Sequence, residues 1–244
     1  MHQTVYKPLH GPHCTVVCSS CNLREICLPV GLTKEELDRI DDRLVTVRHK
    51  VARGERLFQA GEQFESVYAV WTGFFKTSIA SKDGREQVTG FQMSGELIGL
   101  DGIGNRVHEV DAVALEDSQV CVIPYAELES LAQEVTSLQG QFHRVMSREI
   151  VRNSGVMLLL GSMQAEQRVA AFLLNLSHRL RARGFSSSSI VLRMSREEIG
   201  SFLGLKLETV SRTFSKFQAA SLLSVRHRQI QITDPVGLQR LLDG

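Results

Sequence analysis

No stretch of this 244-residue chain is apolar for long enough to cross a bilayer. The longest near-continuous run, residues 156–163, is interrupted by Gly161 and Ser162 and falls well short of the roughly 20 residues a span needs. The N-terminus has no basic start followed by an apolar stretch and a small-residue cleavage site, so no secretory signal is read and the chain is expected to stay in the cytoplasm. Arrangements that carry catalysis are missing too. No motif sets out a Ser/His/Asp or paired-carboxylate constellation, and no glycine-rich phosphate loop appears. The C-x2-C pair lacks the βαβ setting of a thiol oxidoreductase. A non-enzymatic protein is therefore expected, with a thiol-redox enzyme as the alternative from another class. Hydrophobic residues at 43% and charged residues at 23% are ordinary globular values, which argues against a disordered chain. The length suggests two domains, each able to bury a core.

What is present is unevenly distributed. Residues 1–164 carry 16 Lys/Arg against 21 Asp/Glu, whereas residues 165–244 carry 12 against 6. A basic C-terminal part suits a nucleic-acid partner, because neutralising phosphates supplies most non-specific affinity; a solvated basic face is the plain alternative. Of five cysteines, Cys14, Cys18, Cys21 and Cys27 crowd into fourteen residues and Cys121 stands far off. In a cytosolic chain structural disulfides are disfavoured, and such crowding points to metal or redox chemistry. A C-x2-C pair alone fits zinc as well as an iron–sulfur cluster. His10 and His13 are close enough to serve as further donors, although a solvated terminal His is the commoner role.

Thr33, with Glu36 three residues later, predicts a capping box opening a helix over 33–44. From Val45 to Pro124 the pattern turns to short alternating or β-branched runs at 45–51, 66–71, 74–80, 87–92, 110–115 and 119–123, punctuated by nine of the 19 glycines. Asp83-Gly84 is the clearest hairpin turn. Such a series predicts an antiparallel barrel or sandwich. A helix follows Tyr125, and the segment 140–161 places Phe142, Met146, Ile150, Asn153, Met157 and Leu160 on one stripe. At roughly 30 Å it suits a two-stranded coiled coil between subunits, with Asn153 fixing register; an ordinary core helix is the other reading. Residues 164–183 form a further amphipathic helix, closed by Gly184 and a Ser-rich loop.

Ser195 and Glu198 make a second capping box, starting a short helix that stops at Gly204, and another helix begins near Leu207. This is the helix-turn-helix arrangement. On the second helix Val210, Phe214 and Phe217 form a stripe to bury, and Glu208, Ser211 and Arg212 share the opposite face. Arg can bond guanine bidentately, Glu can accept from cytosine, and Ser can touch a base edge or phosphate; a surface ion pair between Glu208 and Arg212 is the simpler alternative. Residues 223–232 alternate as a hairpin with Arg226, His227 and Arg228 at its tip, a wing with cations placed for the phosphate backbone.

With an antiparallel barrel, a long helix and a winged helix carrying Glu208-Thr-Val-Ser-Arg212, nearly the whole chain resembles the CRP/FNR superfamily, the cyclic-AMP receptor and fumarate-nitrate regulator group of transcription factors. Met194-Ser-Arg-Glu-Glu-Ile-Gly-Ser-Phe-Leu-Gly204 is specific to it, while Cys18-x2-Cys21-x5-Cys27 with Cys121, and Leu100-Asp-Gly-Ile-Gly104, are similar to the fumarate and nitrate reduction (FNR) branch. The resemblance implies an α+β fold: a Cys-rich leader (1–29), a cyclic-nucleotide-binding-like antiparallel β-roll (30–139), a dimerisation helix (140–163) and a C-terminal winged helix-turn-helix (164–244). It implies a 4Fe-4S cluster on Cys18, Cys21, Cys27 and Cys121, with zinc or a thiol-disulfide switch as alternatives and Cys14 as the spare. It further implies an oxygen-responsive activator that is a homodimer through Met146, Ile150, Asn153, Met157 and Leu160. Cluster loss releases the double-stranded DNA, and RNA polymerase is the implied partner. Half-sites like TTGAT follow, with Arg212 on the guanine, Glu208 on the cytosine side and Ser211 beside a thymine, while Ser195, Arg196, Arg226 and Arg228 hold the backbone. Gly95-Glu96-Leu97 is similar to the start of a nucleotide pocket, but no Arg-Ser or Arg-Thr clamp follows and Glu109 and Asp111 would repel a phosphate, so no cyclic nucleotide is expected. Three positions depart from the family pattern: Lys206 where a Ser or Thr cap is common, and Ser221 and His227 where Gly is frequent.

Overall fold

The computed structural model describes residues 17–44, 47–80, 84 and 86–243; the expectations placed on His10, His13, Cys14 and Asp83 lie outside them. Strands β1 (Val47–Val51), β2 (Arg56–Phe58), β3 (Ser66–Thr72), β4 (Phe74–Ala80), β5 (Glu86–Met93), β6 (Leu97–Ile98), β7 (Asp111–Ala114) and β8 (Ser118–Pro124) pair into two antiparallel sheets, β1-β8-β3-β6 and β2-β7-β4-β5. Successive side chains of a strand point to opposite faces, and here both faces of both sheets are covered. Val70, Ile98 and Val120 meet Phe58, Phe75, Ala112 and Ala114 between the sheets. On the outer side of the first sheet, Val67, Ala69, Cys121 and Ile123 pack with Leu28, Ile40 and Leu44. On the outer side of the second, Phe74, Val88, Phe91 and Met93 join the core of the C-terminal domain.

Helix α1 (Lys34–Arg43) opens with the expected box: Glu36 N–H donates to the Thr33 hydroxyl and Thr33 N–H donates to the Glu36 carboxylate. After α2 (Tyr125–Glu134), α3 (Thr136–Ser162) starts earlier than expected and runs 27 residues. Its first turns bury Leu138, Gln141 and Phe142 and its end buries Leu159, while Ile150, Val151, Met157 and Leu158 between them stand more than 60% exposed. Among the described residues no helix is long and apolar enough to cross a membrane.

The C-terminal domain comprises α4 (Ala165–Arg181), β9 (Ser189–Val191), α5 (Arg196–Leu203), α6 (Leu207–Ala219), β10 (Leu223–Arg226), β11 (Gln229–Ile232) and α7 (Pro235–Asp243). The wing is three-stranded, β10-β11-β9, where the sequence suggested a hairpin. Arg168, on α4, donates to the carbonyls of Leu160 and Met163 at the end of α3 and of Leu203 at the end of α5, at 2.8–3.0 Å. Helix α5 also leans on β5: the Ser201 hydroxyl accepts from Val88 N–H at 2.8 Å and donates to the Glu86 carbonyl at 3.0 Å. Lys76 bridges Glu86 and Glu198 at 2.9 and 3.2 Å.

The turn between α5 and α6 depends on two glycines. Gly204 adopts the left-handed φ of 63°, and a Cβ on Gly200 would stand 2.5 Å from the Leu205 carbonyl oxygen. Gly200→Ala should therefore destabilise the protein by about 1–3 kcal/mol through overpacking against backbone that cannot yield. Denaturant unfolding checks this; an unchanged midpoint would show that the two helices are not held so closely.

Candidate metal centre and nucleic-acid interface

Alternation along β8 turns Val120 into the inter-sheet core and Cys121 outward, opposite Arg48 of β1 and Ala69 of β3. Onto this face folds the leader, wound in tight turns: Cys21 N–H donates to the Cys18 carbonyl at 3.2 Å and Cys27 N–H to the Leu23 carbonyl at 3.0 Å. The Asp41 carboxylate of α1 anchors it by accepting the N–H groups of Cys18 and Ser19. Cys18, Cys21, Cys27 and Cys121 are all free and line a single pocket with Leu28, Ile40, Ala69 and Trp71.

Burial pushes the Cys27 thiol up to about 12, with Cys121 and Cys21 adding to the rise. Burial also raises Cys18, reinforced by Cys27, Asp41, Cys121 and Cys21. Cys121 is raised by burial and partly relieved by Arg48, whose guanidinium stacks 3.6 Å over the Trp71 ring. Three thiols whose ionisation is opposed by burial, gathered with Cys21 in one apolar pocket, form a soft donor set suited to positive charge, since thiolates are the form that binds metal.

Among the described residues no three His, Cys, Asp or Glu side chains stand close enough to hold one metal ion. A single zinc ion draws sulfur donors to about 2.3 Å from one centre. A four-iron cluster takes its cysteine thiolates at separate irons, a donor geometry that four separated thiols suit better than they suit one ion. The cavity among the thiols is about 30 Å³, room for little more than water.

The helix-turn-helix presents the opposite character. Ser195 and Glu198 form the reciprocal capping box, so the Ser195 oxygen already serves α5. Arg196 stacks 3.5 Å over the Phe214 ring, and burial lowers its pKa. Val210, Phe214 and Phe217 are buried, while Glu208, Ser211 and Arg212 are exposed together. Among the described residues no ion pair joins Glu208 to Arg212. Arg226, His227 and Arg228 are exposed at the wing tip, where Arg228 donates to the Arg193 carbonyl at 3.1 Å. Lys206 gives α6 no side-chain cap, and Ser221 and His227 hold positive φ angles of 57° and 55°.

Residues 167–241 match the Crp-like helix-turn-helix domain and residues 48–135 the cyclic nucleotide-binding domain. The chain is 47% identical to the transcriptional regulatory protein btr of Bordetella pertussis, over 92% of this chain and 93% of that one. It is 39% identical to the fumarate and nitrate reduction regulatory protein of Escherichia coli K12, over 97% and 94%. The chain belongs to the FNR branch of the CRP/FNR family. Its relatives are transcription regulators rather than enzymes. Its fold is similar to that of FixK2 from Bradyrhizobium japonicum, with a TM-score of 0.74 and 31% identity over 80% of this chain and 96% of that one.

Along α3 of this CRP/FNR regulator the expected stripe divides. Met146 packs with the leader-side core and Leu160 with the C-terminal core, while Ile150, Asn153 and Met157 are exposed. The open apolar band is rotated slightly, running through Ser147, Ile150, Val151, Ser154, Met157, Leu158 and Gly161. Sequence reading passed over Arg48 and Trp71, whose contact depends on strand pairing, and over the arginines that occupy Glu96. The latter had a signal: Arg179 and Arg183 lie one helical turn apart at the end of α4. In metal-free protein at pH 8, Cys18 and Cys27 should alkylate at least about tenfold more slowly than in urea, because raised pKa values keep both as thiols. Mass spectrometry of labelled peptides reads the rates, and equal rates would contradict the buried pocket.

Proposed function

We propose that this regulator is a homodimeric, anaerobically active transcription activator that senses oxygen through a 4Fe-4S cluster held by Cys18, Cys21, Cys27 and Cys121 and binds palindromic DNA with TTGAT-like half-sites. The observation that carries the reading is the convergence of four free thiols, three from the leader and one from β8, in a chain of the FNR branch. When bound, the cluster supplies an oxygen-labile tie between leader and β-roll. The chain's own residues do the rest. Cys18, Cys21 and Cys27 bring the leader to the outer face of β8, Asp41 anchors it at Cys18 and Ser19, and Arg48 sets a cation beside Cys121. Helix α3 offers the exposed band through Ile150 and Met157 to a second copy of itself, with Asn153 at its margin and Met146 and Leu160 holding its ends to the two domains. A tied leader favours that dimer.

On DNA, Arg212 reads the guanine, Glu208 the cytosine side and Ser211 a thymine, while Ser195, Arg196, Arg226 and Arg228 lie along the phosphates. RNA polymerase is the expected further partner. The Glu96 carboxylate, at the start of the nucleotide-type pocket, is occupied by arginines of the same chain, which supports a regulator that does not take cyclic nucleotide.

Iron and sulfide analysis of anaerobically prepared protein, with visible spectra before and after air, tests the reading. Cys121→Ser should abolish loading and Cys14→Ser should spare it; a colourless zinc protein would refute the cluster. Ile150→Glu should shift the loaded protein from dimer to monomer in sedimentation, and a persistent dimer would move the interface elsewhere. Arg212→Ala should cost about 1–3 kcal/mol per half-site and relax preference at the G·C pair, whereas Arg226→Ala should weaken all sequences alike and lower the salt slope. Full discrimination in the Arg212→Ala protein would mean that α6 is not the reader.

A further inference from the structure

The Glu96 side chain is the most heavily engaged charge in the structure. Arg179 reaches it with Nη2–Oε2 at 2.6 Å and Nε–Oε1 at 3.1 Å. Arg183 reaches Oε1 at 2.7 Å, and Arg152 approaches Oε2 at 3.7 Å. Three segments meet here: the turn between β5 and β6 that carries Glu96, α3 through Arg152, and the end of α4 with its following loop through Arg179 and Arg183. The two C-terminal arginines also take carbonyls of the β-roll, Arg179 that of Phe91 at 2.5 Å and Arg183 that of Ser94 at 2.6 Å. Charges this deeply placed hold their geometry, because breaking one pair leaves an uncompensated charge away from water.

The turn that carries Glu96 is itself pinned on both sides. Gly95 N–H donates to the Val70 carbonyl at 2.8 Å and Val70 N–H to the Glu96 carbonyl at 2.9 Å. Gly95 adopts φ +85°, and a Cβ there would come within 2.9 Å of the Ile26 side chain and 3.2 Å of its carbonyl oxygen. Ile26 directly precedes Cys27. The leader thus rests on the residue next to Glu96, and Glu96 grips the first helix of the DNA-binding domain.

We infer that Glu96 is a positioning residue through which the cysteine leader sets the orientation of the winged helix-turn-helix domain, and with it the affinity for palindromic DNA. The inference rests on the reading of the leader as a cluster-binding sensor. A leader drawn outward relieves or loads the Ile26–Gly95 contact, the turn shifts, and the guanidinium forks of Arg179 and Arg183 carry the shift into α4. Helix α6, which is packed on α4, moves with it. A coupling of this kind is worth about 5- to 150-fold in affinity, and it fails when the carboxylate no longer binds both forks.

The test compares wild type, Glu96→Gln and Arg183→Lys, each loaded anaerobically and each after air exposure, on a duplex with two TTGAT half-sites and on one with a single half-site. Iron, sulfide and visible absorption report loading independently of DNA. All three proteins are expected to load equally and to bind the single half-site alike. The loaded-to-exposed ratio of affinities on the palindrome should be about tenfold or more for wild type, severalfold smaller for Glu96→Gln, where only the contribution of the α3 dimer is left, and intermediate for Arg183→Lys, which keeps the charge and loses the fork. A full ratio in Glu96→Gln overturns the inference; if that protein fails to fold, a full ratio in Arg183→Lys does so. A wild-type ratio of one overturns the sensor reading beneath it and this inference together, and is recognised because it needs no substitution.

Discussion

A β-sheet of apolar strands has two faces to remove from water, and in this protein each outer face is covered by a different functional part of the chain. The first sheet receives the cysteine leader and α1; the second receives the helix-turn-helix. The core between them, from Val70 and Val120 to Phe75 and Ala114, is close-packed and so passes displacement on rather than absorbing it. The demand for burial therefore places the thiols and the helix-turn-helix on opposite sides of one body. Residue by residue the same demand sets Cys121 apart from Val120, one facing the leader and the other the interior.

Charge complements this arrangement where apolar contact alone would permit sliding. Phe91, Phe172 and Phe202 touch across the junction of the β-roll and the C-terminal domain with ring centroids 5.3–6.1 Å apart. Such contacts are adhesive but only weakly directional. The carboxylate of Glu96 and the guanidinium groups around it add direction, because planar forks accept few geometries. Lys76, shared by Glu86 and Glu198, repeats the device at the other edge of the same junction.

The elements most legible in the sequence were those with local signals. Both capping boxes, at Thr33 and Ser195, formed as their spacing required, and β4 kept its expected bounds, starting directly after Gly73. Strands β2, β6 and β9 were missed: each is two or three residues long and takes its identity from its pairing partner. Helix α7 was not anticipated, although Pro235 suits the first turn of a helix. In the candidate sites, the exposed face of α6 could be read from periodicity, while the choice of four cysteines out of five came from the family resemblance. The pairing of Arg48 with Cys121 could not be read in this way, and the spacing of Arg179 and Arg183 marked a cationic face without naming Glu96 as its partner, since both contacts join residues tens of positions apart. Ser221 and His227 carry the strain that their family departures foretold; positive φ at a non-glycine residue costs on the order of 1 kcal/mol.

The link between α3 and α4 is only Met163 and Gln164, with neither glycine nor proline. An ended helix leaves carbonyls without partners, and at this junction Arg168 takes two of them together with that of Leu203. One planar side chain thus finishes the long helix and braces the base of the helix-turn-helix. The joint is better braced than a two-residue link alone would be. A displacement of the α3 end is thereby shared with the end of α5, the first helix of the helix-turn-helix.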